Sequence, residues 1–310
     1  MINKIKINKS NISLNSKTYF IADIAANWDG DINRAYKLIK LASESGANAA
    51  KFQNFNANTI ISEEGFKNIS RGKKLSHQKS WSGSVYNVYK KASLPLDWTK
   101  KLKDCCKKHN IDYFTTPYDI SQIEYLSKFS SAWKIGSGDI TWHEMIKSLC
   151  KYKLPIILAT GASNFEEVKK AVKIIQNYKK NYILMQCNTN YTASLENFKY
   201  INLNVLKSYK KNFPNAILGL SDHTPGHSTV LGAITLGAKV IEKHFTDDNN
   251  RVGPDHKFSM NPYSWSEMVK RSRELELSLG SELKVIEKNE IDSVKIQRRA
   301  IRIKHDIKKG

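Results

Sequence analysis

The residues that could do chemistry in this chain stand at the ends of short apolar runs. In order they are Asp23, Lys51 with Gln53, Thr116, Lys134 with Ser137, Thr160, Gln186 with Asn188, Ser221-Asp222-His223 and Glu242-Lys243-His244. A polar residue that ends a strand often does no more than hydrogen-bond a loop, and that is the plain alternative for any one of them. For the whole set that alternative is weak, because buried Lys, Glu and His are costly unless paired. Side chains alternate along a strand, so Glu242 and His244 share one face, Lys243 takes the other, and Ser221 shares a face with His223. His223 and His244 then come from neighbouring strands and can point into one mouth. Two imidazoles there, with nearby carboxylates and water, suit a borderline divalent ion such as Mn2+ or Zn2+. On their own, two histidines without a fixed spacing are a weak metal signal. Ligation needs neutral imidazole, so activity should fall below about pH 6, near the ordinary His pKa.

Lys51 and Lys134 form a second pair. Two cations in one mouth repel each other, so an anion with more than one charge is the natural guest, and a clamp for phosphate and carboxylate is the first reading. A Schiff-base lysine, its pKa lowered by the neighbouring cation, competes with it. Simple salt bridges from both lysines to barrel carboxylates rank below these. Beyond His244, Gly253 and Pro254 set a turn that would present Asp255 to the same mouth.

The elements that must position these residues are legible as alternating runs. Strands are expected at 18–26, 49–53, 112–117, 132–138, 155–161, 182–188, 216–222 and 239–246, all near-continuous apolar segments of the kind buried on both faces in a parallel sheet. Helical patterns fall between them. After the first strand, Ala35, Leu38, Ile39 and Ala42 make one stripe that Gly46 ends. Asn164 caps a helix with Glu166 and Glu167 in its first turn, and further helices follow the seventh strand and the eighth, the last ending at Gly280. Strand and helix repeated eight times predict a (β/α)8 TIM barrel over residues 1–280. An open doubly wound sheet is the alternative, but GxGxxG is absent. Only the end of 54–111 reads as the expected helix, so the rest is an elaborated loop after the second strand, on the catalytic face.

Composition sets limits. The 310 residues are 40% hydrophobic, enough for a large core. No window approaches a membrane span of about 18 residues, so no membrane partner is expected, and the basic N-terminus lacks the apolar region of a signal peptide. Four cysteines without a CxxC point to a reducing cytoplasm. The net charge of +21 invites a nucleic-acid reading. It is set aside, because 42 of the 50 basic residues are Lys, spread along the chain, whereas base reading and phosphate clamping favour Arg. A basic surface still attracts anionic substrates.

Eight segments together, ADIAANWDGD, GANAAKFQ, FTTPYD, WKIGSGDIT, LATGAS, SDHTPG, VIEKHFT and GPDHKFSM, resemble the sialic acid synthase family, the phosphoenolpyruvate-condensing nonulosonate synthases. They cover roughly residues 18–262 in the family's order. The resemblance implies a (β/α)8 barrel followed by a small antifreeze-like domain. Residues 281–310 are read as a linker and the incomplete beginning of that domain, with RRAIRIKHDIKKG as its opening. By resemblance, His223 and His244 bind the metal, for which Mn2+ comes first and Mg2+ or Co2+ are alternatives. Lys51, Lys134 and Ser137 hold phosphoenolpyruvate, with Thr116 and Ser221 as further contacts. Gln53, Asp139, Tyr191 and Asp255 fall near the acceptor sugar, and Asp23 stands where the family usually has Glu.

This chain also departs from the pattern. Trp28 follows Asn27 where a His is usual, Asp139 replaces a common Glu, Gln186 stands for a His, and Ala159 and Thr189 stand where polar contacts are common. Two shortened acids and an aromatic at the mouth suggest an acceptor other than N-acetylmannosamine, such as a 6-deoxy diacetamido sugar. The implied reaction joins phosphoenolpyruvate to a 2-acetamido-sugar aldehyde, with Asp23 or Asp255 positioning the water that completes it. A homodimer is implied as well. The alternatives carried forward are a Schiff-base aldolase and a catalytically weak, truncated binding protein.

Overall fold

A computed structural model of the chain describes residues 4–70 and 84–310. Residues 71–83, part of the expected elaborated loop, lie outside the described residues. Two short strands come first, β1 (Ile5–Ile7) and β2 (Ser10–Ile12), paired antiparallel. Eight parallel strands follow and close on themselves: β3 (Tyr19–Asp23), β4 (Ala49–Asn54), β5 (Asp112–Pro117), β6 (Trp133–Ile135), β7 (Ile156–Ala159), β8 (Tyr182–Cys187), β9 (Ile217–Asp222) and β10 (Val240–His244). Strand β10 pairs with β3, so the barrel is closed and the open-sheet alternative falls.

All eight expected strands are present: β5 has its expected bounds, β4 runs one residue further to Asn54, and the other six are shorter. Strand β6, expected to run to 138, ends at Ile135. After Ile135 the chain leaves the sheet, and Ser137–Asp139 form a single 3-10 turn that brings both residues to the barrel mouth. The helices fall where their patterns place them. Asp31 caps Ile32–Glu44 by accepting from the backbone of Asn33, and Gly46 after it has φ +91°. Asn164 and Glu167 form a capping box on Phe165–Asn177, and Pro262–Leu279 begins on a capping box at Asn261 and stops at Gly280. The helix expected after the elaborated loop is Trp98–Lys108.

Both faces of the strands are buried, which explains why they read as unbroken apolar runs. Outward side chains such as Phe20, Phe52, Trp133, Leu184 and Ile241 pack against the helices. Inward side chains such as Tyr19, Ile21, Phe114, Ile157 and Val240 fill the barrel. Ile5, Ile7 and Ile12 of the β1–β2 hairpin belong to that inner cluster. The hairpin therefore floors the barrel, a role hidden in the sequence behind its lysines and asparagines. Asn8 at its turn donates to Asp112 at 2.7 Å and to Ser131 at 2.6 Å.

Residues 281–310 carry a 3-10 turn and a short helix, Ile291–Gln297, with no buried residue among them. Leu283, Ile296, Ile301 and Ile307 are each more than 70% exposed. No helix among the described residues is long and apolar enough to cross a membrane. All four cysteines are free thiols.

Candidate active site

Alternation decides which strand-end residues reach the barrel axis. The register sets Asp23 beside Lys51 and beside His244, Gln53 beside Thr116, and Ser221 beside Glu242. Above the apolar inner layer, inward positions are thus polar, and they open onto a cavity of about 340 Å3. Asp23, Lys51, Gln53, Lys134, Ser137, Asp139, Tyr191, Ser221, His223, His244 and Asp255 all line it. Of the expected site residues, Thr116 alone does not. It faces inward but is fully buried, and its hydroxyl has no partner among the described residues.

Both lysines bridge to a carboxylate, contrary to the ranking made from the sequence. Lys51 Nζ lies 2.6 Å from Asp23 Oδ2 and 3.1 Å from Glu242 Oε1, and Lys134 Nζ lies 3.4 Å from that same Glu242 oxygen. Ser221 donates to it at 3.2 Å. Glu242 was noted as inward-facing, yet its position as the hub was missed. The signal was there, since it shares a face with His244 and stands at the level of both lysines. Burial alone would push Lys51 down, but Asp23 and Glu242 outweigh it and hold the ammonium above the ordinary lysine range. Burial would raise Glu242, but Lys134 and Lys51 bring it down to about 2. Lys134 is lowered, first by burial and then by Lys51, against the pull of Glu242. Burial raises Asp23 despite Lys51. Asp23 also accepts from Gln53 at 3.3 Å and from the backbone of Ala25 at 3.1 Å.

His223 and His244 meet with ring centroids 5.4 Å apart. His223 Nδ1–H donates to the carbonyl of Asn188 at 2.8 Å, which leaves Nε2 as a lone pair. His244 Nε2 is 3.5 Å from Asp23 Oδ2, and its buried Nδ1 has no partner among the described residues. Burial and His244 push His223 down to about 4, and burial and Lys51 push His244 down to about 3. Both rings are neutral at physiological pH, the form that ligates metal. The earlier expectation of a histidine limb near pH 6 therefore does not hold. This donor set fits a divalent ion to the extent of two imidazoles. No group of three His, Cys, Asp or Glu is arranged for one among the described residues, so the remaining ligands would be water or substrate oxygen. Tyr191 stands edge-on to His223 at 4.4 Å, and Phe258 to His244 at 4.8 Å.

Two half-buried carboxyls face the cavity with pKa values near neutrality. Burial raises Asp139 to about 6 and Asp255 to about 6. Asp139 Oδ2 has no partner among the described residues, whereas Asp255 Oδ2 accepts from the backbone of Ala26 at 3.1 Å. The loop carrying Asp255 is tied to the loop after β3. Asn27 donates to the carbonyl of Phe245 and to Ser259, both at 2.9 Å, and Asp29 meets His256 at 2.9 Å and Arg251 at 2.9 Å.

Several strand-end residues turn out to be structural. Lys243 pairs with Asp222 on the outer face, Thr160 bonds Tyr209 and the Met185 carbonyl, and Gln186 donates to the carbonyl of Ile201. Trp28 is a second correction. It is 2% exposed and packs edge-on against Trp98 at 5.4 Å, so it belongs to the helix layer and not to the mouth. The outer wall of the cavity comes instead from the elaborated loop, through Phe55, Ile60, Val88, Tyr89 and Ala92, with Tyr118 beside them. Only the length of that insertion pointed to this wall.

Known proteins resemble this chain over nearly its whole length. The N,N'-diacetyllegionaminic acid synthase of Campylobacter jejuni is 36% identical over 301 residues, 95% of this chain and 87% of that protein. The pseudaminic acid synthase of the same species is 30% identical over 305 residues, 97% of this chain and 85% of that protein. The crystal structure of the sialic acid synthetase of Leptospira borgpetersenii superposes with a TM-score of 0.83 at 26% identity, covering 96% of this chain and 97% of that one. A family model, described as NeuB family, matches residues 38–284, from the first barrel helix to past the last, and the chain belongs to that family.

Proposed function

We propose that this protein is a nonulosonic acid synthase that condenses phosphoenolpyruvate with the open-chain aldehyde of a 2-acetamido sugar, releasing phosphate and a nine-carbon 2-keto acid. The observation that carries this reading is the pairing, in one cavity, of two lysines and Ser221 with two neutral imidazoles. Lys51, Lys134 and Ser221 bind the phosphate and carboxylate, so that C3 of the enol faces the aldehyde carbon. A divalent ion held by His223 and His244, Mn2+ first and Mg2+ or Co2+ as alternatives, supplies Lewis-acid polarisation of the aldehyde oxygen. The bond from C3 to the aldehyde carbon forms as the enol electrons move. The aldehyde oxygen takes up a proton, and C2 becomes an oxocarbenium. Water adds at C2 and gives up a proton to a carboxylate, for which Asp255 and Asp23 both line the cavity. The C2–O bond to phosphate then breaks as the new C2 hydroxyl gives its proton to the departing phosphate, leaving the ketone. Asp255, at about 6, suits proton exchange near neutral pH.

For the acceptor we propose N-acetylmannosamine or a 6-deoxy diacetamido relative. Phe55, Ile60, Val88 and Ala92 give the cavity an apolar outer wall, which favours the deoxy sugar. Tyr191, Gln53 and Asp139 are assigned to its polar groups. The same proposal includes a homodimer, to be checked by the mass of the particle in solution, and a reducing cytoplasm, which suits four free thiols. The deciding experiment measures phosphate release from phosphoenolpyruvate across a panel of 2-acetamido sugars, with and without Mn2+, with the product identified by mass. No sugar-dependent release with any member would overturn the proposal and leave a binding protein. One observation favours a second reading: the lowered ammonium of Lys134 is the state a Schiff-base lysine needs. Borohydride trapping of a substrate adduct on Lys134 would decide for it.

A further inference from the structure

One oxygen, Glu242 Oε1, sits on three donors at once: Lys51 Nζ at 3.1 Å, Lys134 Nζ at 3.4 Å and Ser221 Oγ at 3.2 Å. These are the same three groups that the proposed function gives to the phosphate and carboxylate of phosphoenolpyruvate, and the inference rests on that reading. A carboxylate on all of them is an anion already lodged in the clamp. Lys134 also donates to the carbonyl of Ile135 at 3.2 Å, and among the described residues Glu242 is the carboxylate it bridges to. The other Glu242 oxygen, Oε2, is buried and has no partner among the described residues, so the carboxylate is held through one oxygen only. Without Glu242, Lys51 would keep Asp23 at 2.6 Å, but Lys134 would lose its carboxylate partner, and the two ammoniums with one counter-ion between them would grip a doubly charged phosphate. Substrate and released phosphate share that charge, so such a clamp would stay filled with product.

We infer that Glu242 is a resident competitor for the anion clamp: it spaces Lys51 and Lys134 when no substrate is bound, and it keeps phosphate affinity low enough for product to leave. Incoming phosphoenolpyruvate must share or displace the contacts of Oε1. Glu242 is a positioning residue on this account, acting through the two lysines. A purely structural counter-ion makes a different forecast. Its loss would disorder or discharge the lysines and weaken anion binding.

The test uses the full chain and inorganic phosphate as the probe, by titration calorimetry. Glu242→Gln keeps the shape and removes the charge. It should tighten phosphate binding roughly tenfold or more, the scale of one charge-assisted contact. In turnover, kcat and the KM for phosphoenolpyruvate should fall together, and product inhibition by phosphate should strengthen. Glu242→Asp keeps the charge but retracts the carboxylate from the lysines, and should give an intermediate phosphate affinity. It also serves if Glu242→Gln does not fold. Unchanged or weaker phosphate binding in the folded Gln variant would overturn the inference, as would an Asp variant that binds phosphate no more tightly than wild type. Wild-type turnover is measured in parallel. If wild type turns over and the variants do not tighten, the competitor role fails alone. If wild type neither turns over nor binds phosphate, the anion-clamp reading fails and takes the inference with it.

Discussion

The buried pair Asp222–Lys243 offers the sharpest test of how the mouth is held. Both side chains are almost wholly buried, at 0% and 1% exposure. They tie β9 to β10 on the outer face, one residue away from His223 and His244. Lys243 donates to Asp222 and, at 2.6 Å, to the carbonyl of Thr224, and Asp222 also accepts from the hydroxyls of Thr224 and Thr229, each at 2.8 Å. Replacing Lys243 with Met leaves a buried carboxylate with hydroxyl donors but no cation. Breaking one side of such a pair costs about 3–5 kcal/mol. At roughly 2–4 °C per kcal/mol, the melting temperature should drop by about 6–20 °C. Replacing both partners, with Asp222→Leu added to Lys243→Met, removes the orphaned charge and should recover much of that loss. The pH dependence has a definite sign. Burial would raise Asp222, but Lys243 and the hydroxyl donors hold it below the ordinary carboxylate range. Its contribution is therefore complete above the unfolded value of about 3.9 and is lost as pH falls through the lower folded value. The assay is a double-mutant cycle by thermal or urea unfolding. A single-variant cost below about 1 kcal/mol, or a double variant as unstable as the sum of its parts, would refute the reasoning.

Chelation should abolish sugar-dependent phosphate release and Mn2+ should restore it; full activity in a His223→Ala, His244→Ala double variant would exclude a metal role for the pair. The acid limb of kcat/KM is expected near 6 and belongs to carboxyls, because Asp139 and Asp255 both lie at about 6 while the imidazoles titrate at about 4 and about 3; the limb should move in Asp139→Asn or Asp255→Asn, and its persistence in both would assign it elsewhere. The histidines should make stability fall as pH drops from about 6.5, since unfolded imidazoles take up protons that the folded ones refuse, while Asp139 and Asp255, raised to about 6, offset part of that fall; an Asp139→Asn, Asp255→Asn variant removes the offset, and melting curves of that variant that coincide at about pH 7.5 and about pH 5 would contradict this. Lys51→Ala and Lys134→Ala should each weaken phosphoenolpyruvate binding by about ten- to a hundredfold, the scale of a lost charge-assisted contact, measurable by calorimetry with substrate alone.

The barrel was legible because its signals are local. Continuous apolar runs mark strands buried on both faces, and caps such as Asp31 and Asn164 mark helix starts. Inward and outward residues also followed from alternation, as with Glu242 against Lys243. What alternation cannot supply is partners. Lys51 and Lys134 looked like two unpaired cations because their shared carboxylate lies 191 and 108 positions further along the chain. Trp28 was assigned to the mouth from its position after the first strand. Yet Ala25 at φ +45° and Asp29 at φ +51° turn that loop, and the indole packs into the helix layer. The β1–β2 hairpin escaped notice because each of its strands is three residues long, too short for a pattern to stand out.

That hairpin reverses the order of synthesis and the order of burial. It precedes every barrel strand in the chain, yet the seat for Ile5, Ile7 and Ile12 is built from side chains that run from Tyr19 to Val240. A lone two-stranded hairpin is marginal in water, so its isoleucines cannot be sheltered locally. Their shelter therefore needs contacts from strands at both ends of the barrel sequence. Such long-range closure is slow and leaves apolar surface open to neighbouring chains. Shortening or polarising the hairpin should thus alter the yield of soluble protein on refolding more than it alters the finished active site, which lies at the opposite end of the barrel.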